Sequence, residues 1–304
     1  MPDLDYAAAD KRFDVVVVGG GPAGLTAATY LRRFHRSCLV LDAGDSRARW
    51  IPESNNCPGF PQGVSGVELL RRMRDQAATF DTCFEAARVE RIERGDGFVL
   101  HGKGRTWRAR SVILATGLSD KLPDVPWVEK AVACGAIRLC SVCDAYEATD
   151  SRIGVYGRGR DIVAHGKFLR GYSAQVYLLP TDDGDGGKLR EAEEAGVQVL
   201  AFGGKLDFDG RQCAYTTVDG RRTTFDSVYP FLGSQTSAGI AAAVGAGLSD
   251  TGEILVDAQQ MTHVPDLFAI GDVVSGLNQI SVAVGQAAIA ATCAHKRLPF
   301  VPRP

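Results

Sequence analysis

The chain has 304 residues, enough for two ordinary domains or for one domain interrupted by another. A hydrophobic content of 45% with 23% charged residues suits a protein that buries a core, and a formal net charge of −2 excludes the basic excess of a general nucleic-acid binder. No apolar run approaches the ~20 residues of a membrane span. Residues 1–12 read as a polar N-terminal extension without the apolar core of a signal peptide, so a cytoplasmic protein is expected.

Phe13 to Val18 is a short β-branched run, the pattern of a buried parallel strand. It flows into Gly19-Gly20-Gly21-Pro22-Ala23-Gly24, a G-x-G-x-x-G turn, and then into a helical stretch from Leu25 to Arg33. Gly19 makes the tight turn, Gly21 lets a pyrophosphate approach the backbone, and Gly24 allows close helix–strand packing. Pro22 and Ala23 complete the cradle, where a helix N-terminus favours phosphate. A second strand, Cys38 to Leu41, closes on Asp42, twenty-three residues after Gly19, where a carboxylate would accept hydrogen bonds from ribose hydroxyls. This set predicts a dinucleotide site without separating FAD from NAD.

Further along, Asn55-Asn56-Cys57-Pro58-Gly59-Phe60-Pro61 is a turn-rich segment, and Ser111 to Leu114 is another buried strand, ending in Ala115-Thr116-Gly117. Cys140-Ser141-Val142-Cys143-Asp144 follows at mid-chain. Eight cysteines in a chain of this size do not make a disulfide scaffold, and Cys38, Cys57, Cys83, Cys134, Cys213 and Cys293 are scattered. Only Cys140 and Cys143 form a Cys-x-x-Cys pair. A zinc site would need a second pair or spaced histidines, so no metal is expected. Two residues between the cysteines allow a small ring at a helix N-terminus, whose dipole lowers a thiol pKa.

Ile153 to Tyr156 is a fourth strand, followed by Gly157-Arg158-Gly159-Arg160-Asp161-Ile162, a second glycine turn with isoleucine in its third small position. The next strand, Ala174 to Leu179, ends in Pro180-Thr181-Asp182-Asp183-Gly184-Asp185. A 2′-phosphate needs cations there, and these acids would repel it. Finally, Leu267 to Ile270 is a strand ending in Gly271-Asp272, and Asn278-Gln279-Ile280 precedes a small-residue helix from Ser281 to Ala294.

In order and spacing these motifs resemble the low-molecular-weight thioredoxin reductases from Phe13 to Leu298. The resemblance implies an α/β chain with two Rossmann-like domains. The FAD domain would comprise 13–122 and 233–304, and the domain carrying the cysteine pair, 123–232, would be inserted between them. It implies that Gly19, Gly21, Pro22, Ala23, Gly24, Asp42, Asn56, Ala115, Thr116, Gly117, Gly271, Asp272, Asn278, Gln279 and Ile280 bind FAD. By the same resemblance Cys143 faces the flavin, Cys140 meets the substrate, and Asp144 moves the proton. The family carries a His-Arg-Arg cluster where this chain has Pro180 to Asp183, so ordinary NADPH binding is not expected. The chain is therefore similar to members lacking NADPH motifs, including ferredoxin-dependent and deeply branching thioredoxin reductases. The leading expectation is a homodimer that reduces thioredoxin, a similar protein or a small disulfide, with ferredoxin as one candidate donor. Three alternatives stay open: an oxygen-linked dithiol oxidase, a standard NADPH enzyme with a divergent motif, and a non-enzymatic FAD redox sensor.

Overall fold

The computed structural model describes residues 12–184, 186–274, 276–300 and 302. The N-terminal extension expected from the sequence, apart from Arg12, lies outside them. The chain opens with β1 (Arg12–Val18), α1 (Pro22–Arg33), β2 (Cys38–Asp42), α2 (Gly66–Ala78), β3 (Cys83–Ala86), β4 (Arg91–Gly95), β5 (Gly97–Gly102), β6 (Arg105–Leu114) and β7 (Leu118–Asp120). It continues with α3 (Val128–Ala133), α4 (Ser141–Asp144), β8 (Arg152–Gly157), α5 (Gly159–Leu169), β9 (Gln175–Pro180), α6 (Gly186–Glu194) and β10 (Gln198–Val199). A meander of β11 (Lys205–Phe208), β12 (Cys213–Thr216) and β13 (Arg222–Phe225) precedes β14 (Ser227–Phe231). The last elements are β15 (Ser234–Thr236), α7 (Gly239–Ala242), β16 (Leu267–Ala269) and α8 (Ile280–Arg297).

Two compact units result. The first holds the described parts of Met1–Arg49, Val67–Ser119 and Gln235–Pro304; the second holds Trp50–Gly66 and Asp120–Ser234. Trp50–Gly66 thus departs from the division expected from sequence. Packing accounts for its start, because Trp50 lies against an apolar cluster that contains Ile137, Tyr215 and Phe225.

In the first unit the strand order is β3-β2-β1-β6-β5-β4, with β16 also on β6. β6 changes partners along its length: Arg105 to Ala109 pair antiparallel with β5, and Val112 to Leu114 pair parallel with β16. β1 is parallel to β2 on one side and to β6 on the other. The connections leave β1 in opposite directions, which makes the crevice at its C-terminal end the switch point where such sheets bind ligands. Both faces of β1 are buried, as its unbroken valine run requires. Val15 and Val17 join the buried alanines Ala27 and Ala28 of α1 and Ala287, Ala290, Ala291 and Ala294 of α8. Small side chains on both helices let them pack closely. Val16 and Val18 face a second cluster with Leu39, Leu41 and Val112.

The second unit repeats the theme in a parallel sheet of order β10-β9-β8-β14. β8 sits between β9 and β14, so Gly157 at its end marks a second switch point. Ile153, Val155, Val176 and Leu178 are fully buried here; truncating Ile153 to alanine is expected to cost about 2–5 kcal/mol. Ala136 to Arg138 extends this sheet along β14. Arg138 N–H donates to the Val228 carbonyl at 3.0 Å, and Val228 N–H donates to that of Ala136 at 2.8 Å.

Candidate redox and nucleotide sites

The first glycine turn is shaped by its neighbours. Gly19 has φ +115°, and a Cβ there would lie 2.1 Å from the Ala115 carbonyl oxygen. A Cβ on Gly24 would come 1.9 Å from the Gly19 oxygen, so both positions demand glycine for close approach. Gly21, the N-cap of α1, is different: within 4 Å its Cβ would meet only Ser46 Oγ, at 3.2 Å. Its outer side is the open part of the turn. Pro22 opens the helix at its first position, where no intrahelical N–H is needed, and Ala23 is buried behind it. Asp42 ends β2, accepts from Gly44 N–H at 2.9 Å and lies 3.6 Å from Arg74. Its carboxylate also explains Gly20, whose Cβ would fall 2.2 Å from Oδ2.

Around this cradle, Ala115 is buried, Thr116 Oγ1 donates to the Ser237 carbonyl at 3.1 Å, and Gly117 has φ +63°. Gly271 N–H donates to Gln286 Oε1 at 2.7 Å. Asp272 forms an ion pair with Arg47 at 3.4 Å, across 225 residues of sequence. Arg47 carries no local motif and was not singled out from the sequence. Asn278 and Gln279 lead into α8, with Gln279 as N-cap; the helix begins one residue earlier and ends three later than expected. Asn56 belongs to the second unit, where its Oδ1 accepts from Ser54 Oγ at 3.1 Å. An open glycine, a helix N-terminus aimed past it and a carboxylate at the second strand's end fit the diphosphate and ribose of a dinucleotide such as FAD.

In the second unit Cys140 and Cys143 form a disulfide with S–S 2.04 Å and Cα–Cα 5.3 Å. Cys140 is the N-cap of the single turn α4, and Cys143 N–H donates to its carbonyl at 3.1 Å. Asp144, next in sequence, is largely buried. Its Oδ2 lies 3.3 Å from the Arg138 guanidinium, and its Oδ1 accepts from the Tyr229 hydroxyl at 2.9 Å. Burial pushes this carboxyl above the ordinary range, against the lowering effects of Arg138 and the Tyr229 hydrogen bond. Tyr229 lies 85 residues away, and nothing local in the sequence announces it.

The second glycine turn has a different surface. Ile162, in the third small position of this turn, is fully buried in the core under α5. A Cβ on Gly157 would come 2.8 Å from its Cγ2. Pro180 ends β9 opposite Gly157. Gly159 N–H, at the start of α5, donates to Asp182 Oδ1 at 2.8 Å, and a Cβ on Gly159 would lie 3.0 Å from Gly184 Cα. The backbone position equivalent to open Gly21 is therefore covered by the chain's own loop, with a carboxylate on its amide.

The family model described as "Pyridine nucleotide-disulphide oxidoreductase" matches residues 13–287. Thioredoxin reductase of Listeria monocytogenes is 29% identical, with 95% of each chain covered. That of Bacillus subtilis is 28% identical, with 93% of each covered. Among solved structures, thioredoxin reductase of Streptococcus pyogenes MGAS5005 superposes with a TM-score of 0.85 at 26% identity, covering 94% of this chain and 97% of that one. No helix among the described residues is long and apolar enough to cross a membrane. The chain belongs to the pyridine nucleotide-disulphide oxidoreductases, and within them it is an FAD disulfide oxidoreductase of the thioredoxin reductase type.

Proposed function

We propose that this enzyme moves electrons between FAD and the Cys140–Cys143 disulfide, and reduces thioredoxin or a similar disulfide-bearing protein without normal use of NADPH. FAD, when bound, supplies a carrier that exchanges two electrons at a time. Gly21 and the first-turn N–H groups of α1 bind its diphosphate, Asp42 accepts from its ribose, and Asp272, steadied by Arg47, holds the ribityl chain. Cys143 is the sulfur that exchanges electrons with the flavin, and Cys140 exchanges with the substrate disulfide. Asp144 carries the proton between a released sulfur and solvent. A homodimer goes with this reading.

The observation that carries the NADPH part is the Asp182–Gly159 contact at 2.8 Å. A nicotinamide dinucleotide would need that amide for its diphosphate and would first have to displace a carboxylate. A hydrogen bond to a charged group is worth about 1.5–3 kcal/mol, which corresponds to about 10- to 150-fold in affinity. That alone weakens binding without abolishing it. Asp182 and Asp183, standing where a 2′-phosphate needs cations, add repulsion that disfavours NADPH further.

A second reading, ordinary NADPH-dependent thioredoxin reduction, draws support from relatives bearing that enzyme's name at 28–29% identity. Rapid mixing of the FAD-loaded enzyme with NADPH, NADH, reduced ferredoxin or a dithiol separates the two. The proposal expects slow or absent flavin bleaching with micromolar NADPH and fast bleaching with another donor. Fast bleaching by micromolar NADPH would establish the second reading instead.

A further inference from the structure

We propose that Tyr229 and Arg138 are positioning residues that let Asp144 exchange a proton beside the disulfide without leaving a buried polar atom unpaired. The inference rests on the reading of Cys140–Cys143 as the working disulfide and Asp144 as its proton carrier.

Both residues reach Asp144 through the edge of the second sheet. Tyr229 lies on β14, fully buried. Arg138 is tied to the same strand by its backbone N–H to Val228 and by Nε donating to Ser227 Oγ at 2.9 Å. This leaves its Nη1 on Asp144 Oδ2 at 3.3 Å, in a pair whose side chains are only 23% and 20% exposed. A partly buried pair held at three points is a firmer arrangement than a fully exposed ion pair.

The Tyr229 hydroxyl has two acceptors on one residue, Asp144 Oδ1 at 2.9 Å and the Asp144 carbonyl oxygen at 3.3 Å. With Asp144 ionised, the hydroxyl donates to Oδ1. With Asp144 protonated at Oδ1, the acid donates to the hydroxyl oxygen, and the phenol turns its own O–H to the carbonyl. Each state is paired throughout, so neither carries the cost of about 1–3 kcal/mol for a buried unsatisfied group. The charged and titratable groups that act on the carboxyl are Arg138, Tyr229 and Glu147; burial and Glu147 favour the neutral acid, and Arg138 and the Tyr229 hydrogen bond favour the carboxylate.

A thiolate of a small dithiol attacks one sulfur of the Cys140–Cys143 bond, forming a new S–S bond while the old one breaks. The released sulfur leaves with the electron pair, takes the Asp144 proton and becomes a thiol. Asp144 is left as a carboxylate between Tyr229 and Arg138. The second thiol of the reagent then attacks its own sulfur in the mixed disulfide, breaking that bond and releasing the second cysteine sulfur, which takes the attacking thiol's proton, so the reagent is oxidised and both cysteines end as thiols.

The test follows the opening of Cys140–Cys143 by dithiothreitol in the full-length, FAD-loaded protein, trapped by alkylation and normalised to reagent thiolate at each pH. The wild-type rate should fall as pH rises through the Asp144 titration, and Asp144→Asn should remove that limb. Tyr229→Phe should move the limb upward by about one pH unit, a tenfold change in the acid equilibrium. Arg138→Gln should move it in the same direction, and Arg138→Lys should restore it. In an Asp144→Asn background, Tyr229→Phe should have no effect on the profile. If Tyr229→Phe does not fold, the Arg138 pair of variants decides alone. A limb unmoved in Tyr229→Phe and Arg138→Gln, or a shift that persists with Asp144→Asn, would overturn the positioning role. A limb that survives Asp144→Asn in the otherwise wild-type protein would overturn the reading of Asp144 itself.

Discussion

The two glycine turns begin from the same design and end in opposite conditions. Each follows a parallel strand at a switch point, each opens a helix, and each places its third turn residue, Gly21 or Gly159, where a phosphate would sit. At Gly21 the space beyond the backbone is open except for Ser46 Oγ. At Gly159 the amide is already bonded to Asp182 and the space is taken by Gly184. The same glycine-turn pattern can thus leave one turn open and close the other with an internal contact. Two positions beyond the second strand's end stands Gly44 in the first unit and, in the second, Asp182, whose carboxylate bonds the Gly159 amide.

The largest expected effect sharpens what the second unit is for. Replacing Cys140 or Cys143 by serine should lower disulfide turnover by about 1,000-fold or more, as expected when a covalent intermediate is removed, while flavin content stays at the wild-type level by absorbance. Next comes a paired test of the turns themselves. Gly19→Ala forces a Cβ against the Ala115 carbonyl at φ +115°, so flavin retention should collapse. Gly159→Ala meets Gly184 Cα at 3.0 Å, a contact that a shift of a few tenths of an ångström relieves, and should cost about 1 kcal/mol in urea unfolding with flavin retained. Equal loss of flavin in both variants would break the comparison.

A smaller effect is expected from Asp182→Asn, which keeps the size of the side chain and removes its charge. Reduction of the flavin by NADPH should rise about tenfold in the pre-steady state, since a charge-assisted bond on Gly159 is weakened and a repulsive charge is lost. The smallest effect reads the two cores. Burial pushes the thiols of Cys38, on β2, and Cys213, on β12, up to about 12. Both therefore stay protonated and should resist alkylation at pH 9, whereas exposed Cys134 reacts. In a urea series, exposure of Cys38 reports the first unit and that of Cys213 the second.

What was legible in the sequence was local. The valine run, the spacing of Gly19, Gly21 and Gly24, and the carboxylate at Asp42 are fixed by short-range rules of strand burial and turn geometry, and the structure places them together. The acids at Asp182 and Asp183 were legible as a poor environment for a 2′-phosphate. The bond from Asp182 back to Gly159 was not, because it depends on how the loop after β9 folds over α5. Contacts made across sheets were hidden altogether. Arg47 reaches Asp272 over 225 residues and Tyr229 reaches Asp144 over 85, with no periodicity or motif to mark either partner. The placement of Trp50 with the second unit was hidden for the same reason, since it goes with apolar packing against residues distant in sequence.

Equilibrium binding of NADPH to the oxidised, FAD-loaded enzyme tests most directly whether the second turn is closed. Calorimetric titration of the wild-type protein and the Asp182→Ala variant should give a Kd of about 1 mM or weaker for the first and binding about 10- to 150-fold tighter for the second, the range set by one charge-assisted hydrogen bond. Micromolar binding to the wild-type protein, unchanged by Asp182→Ala, would contradict it.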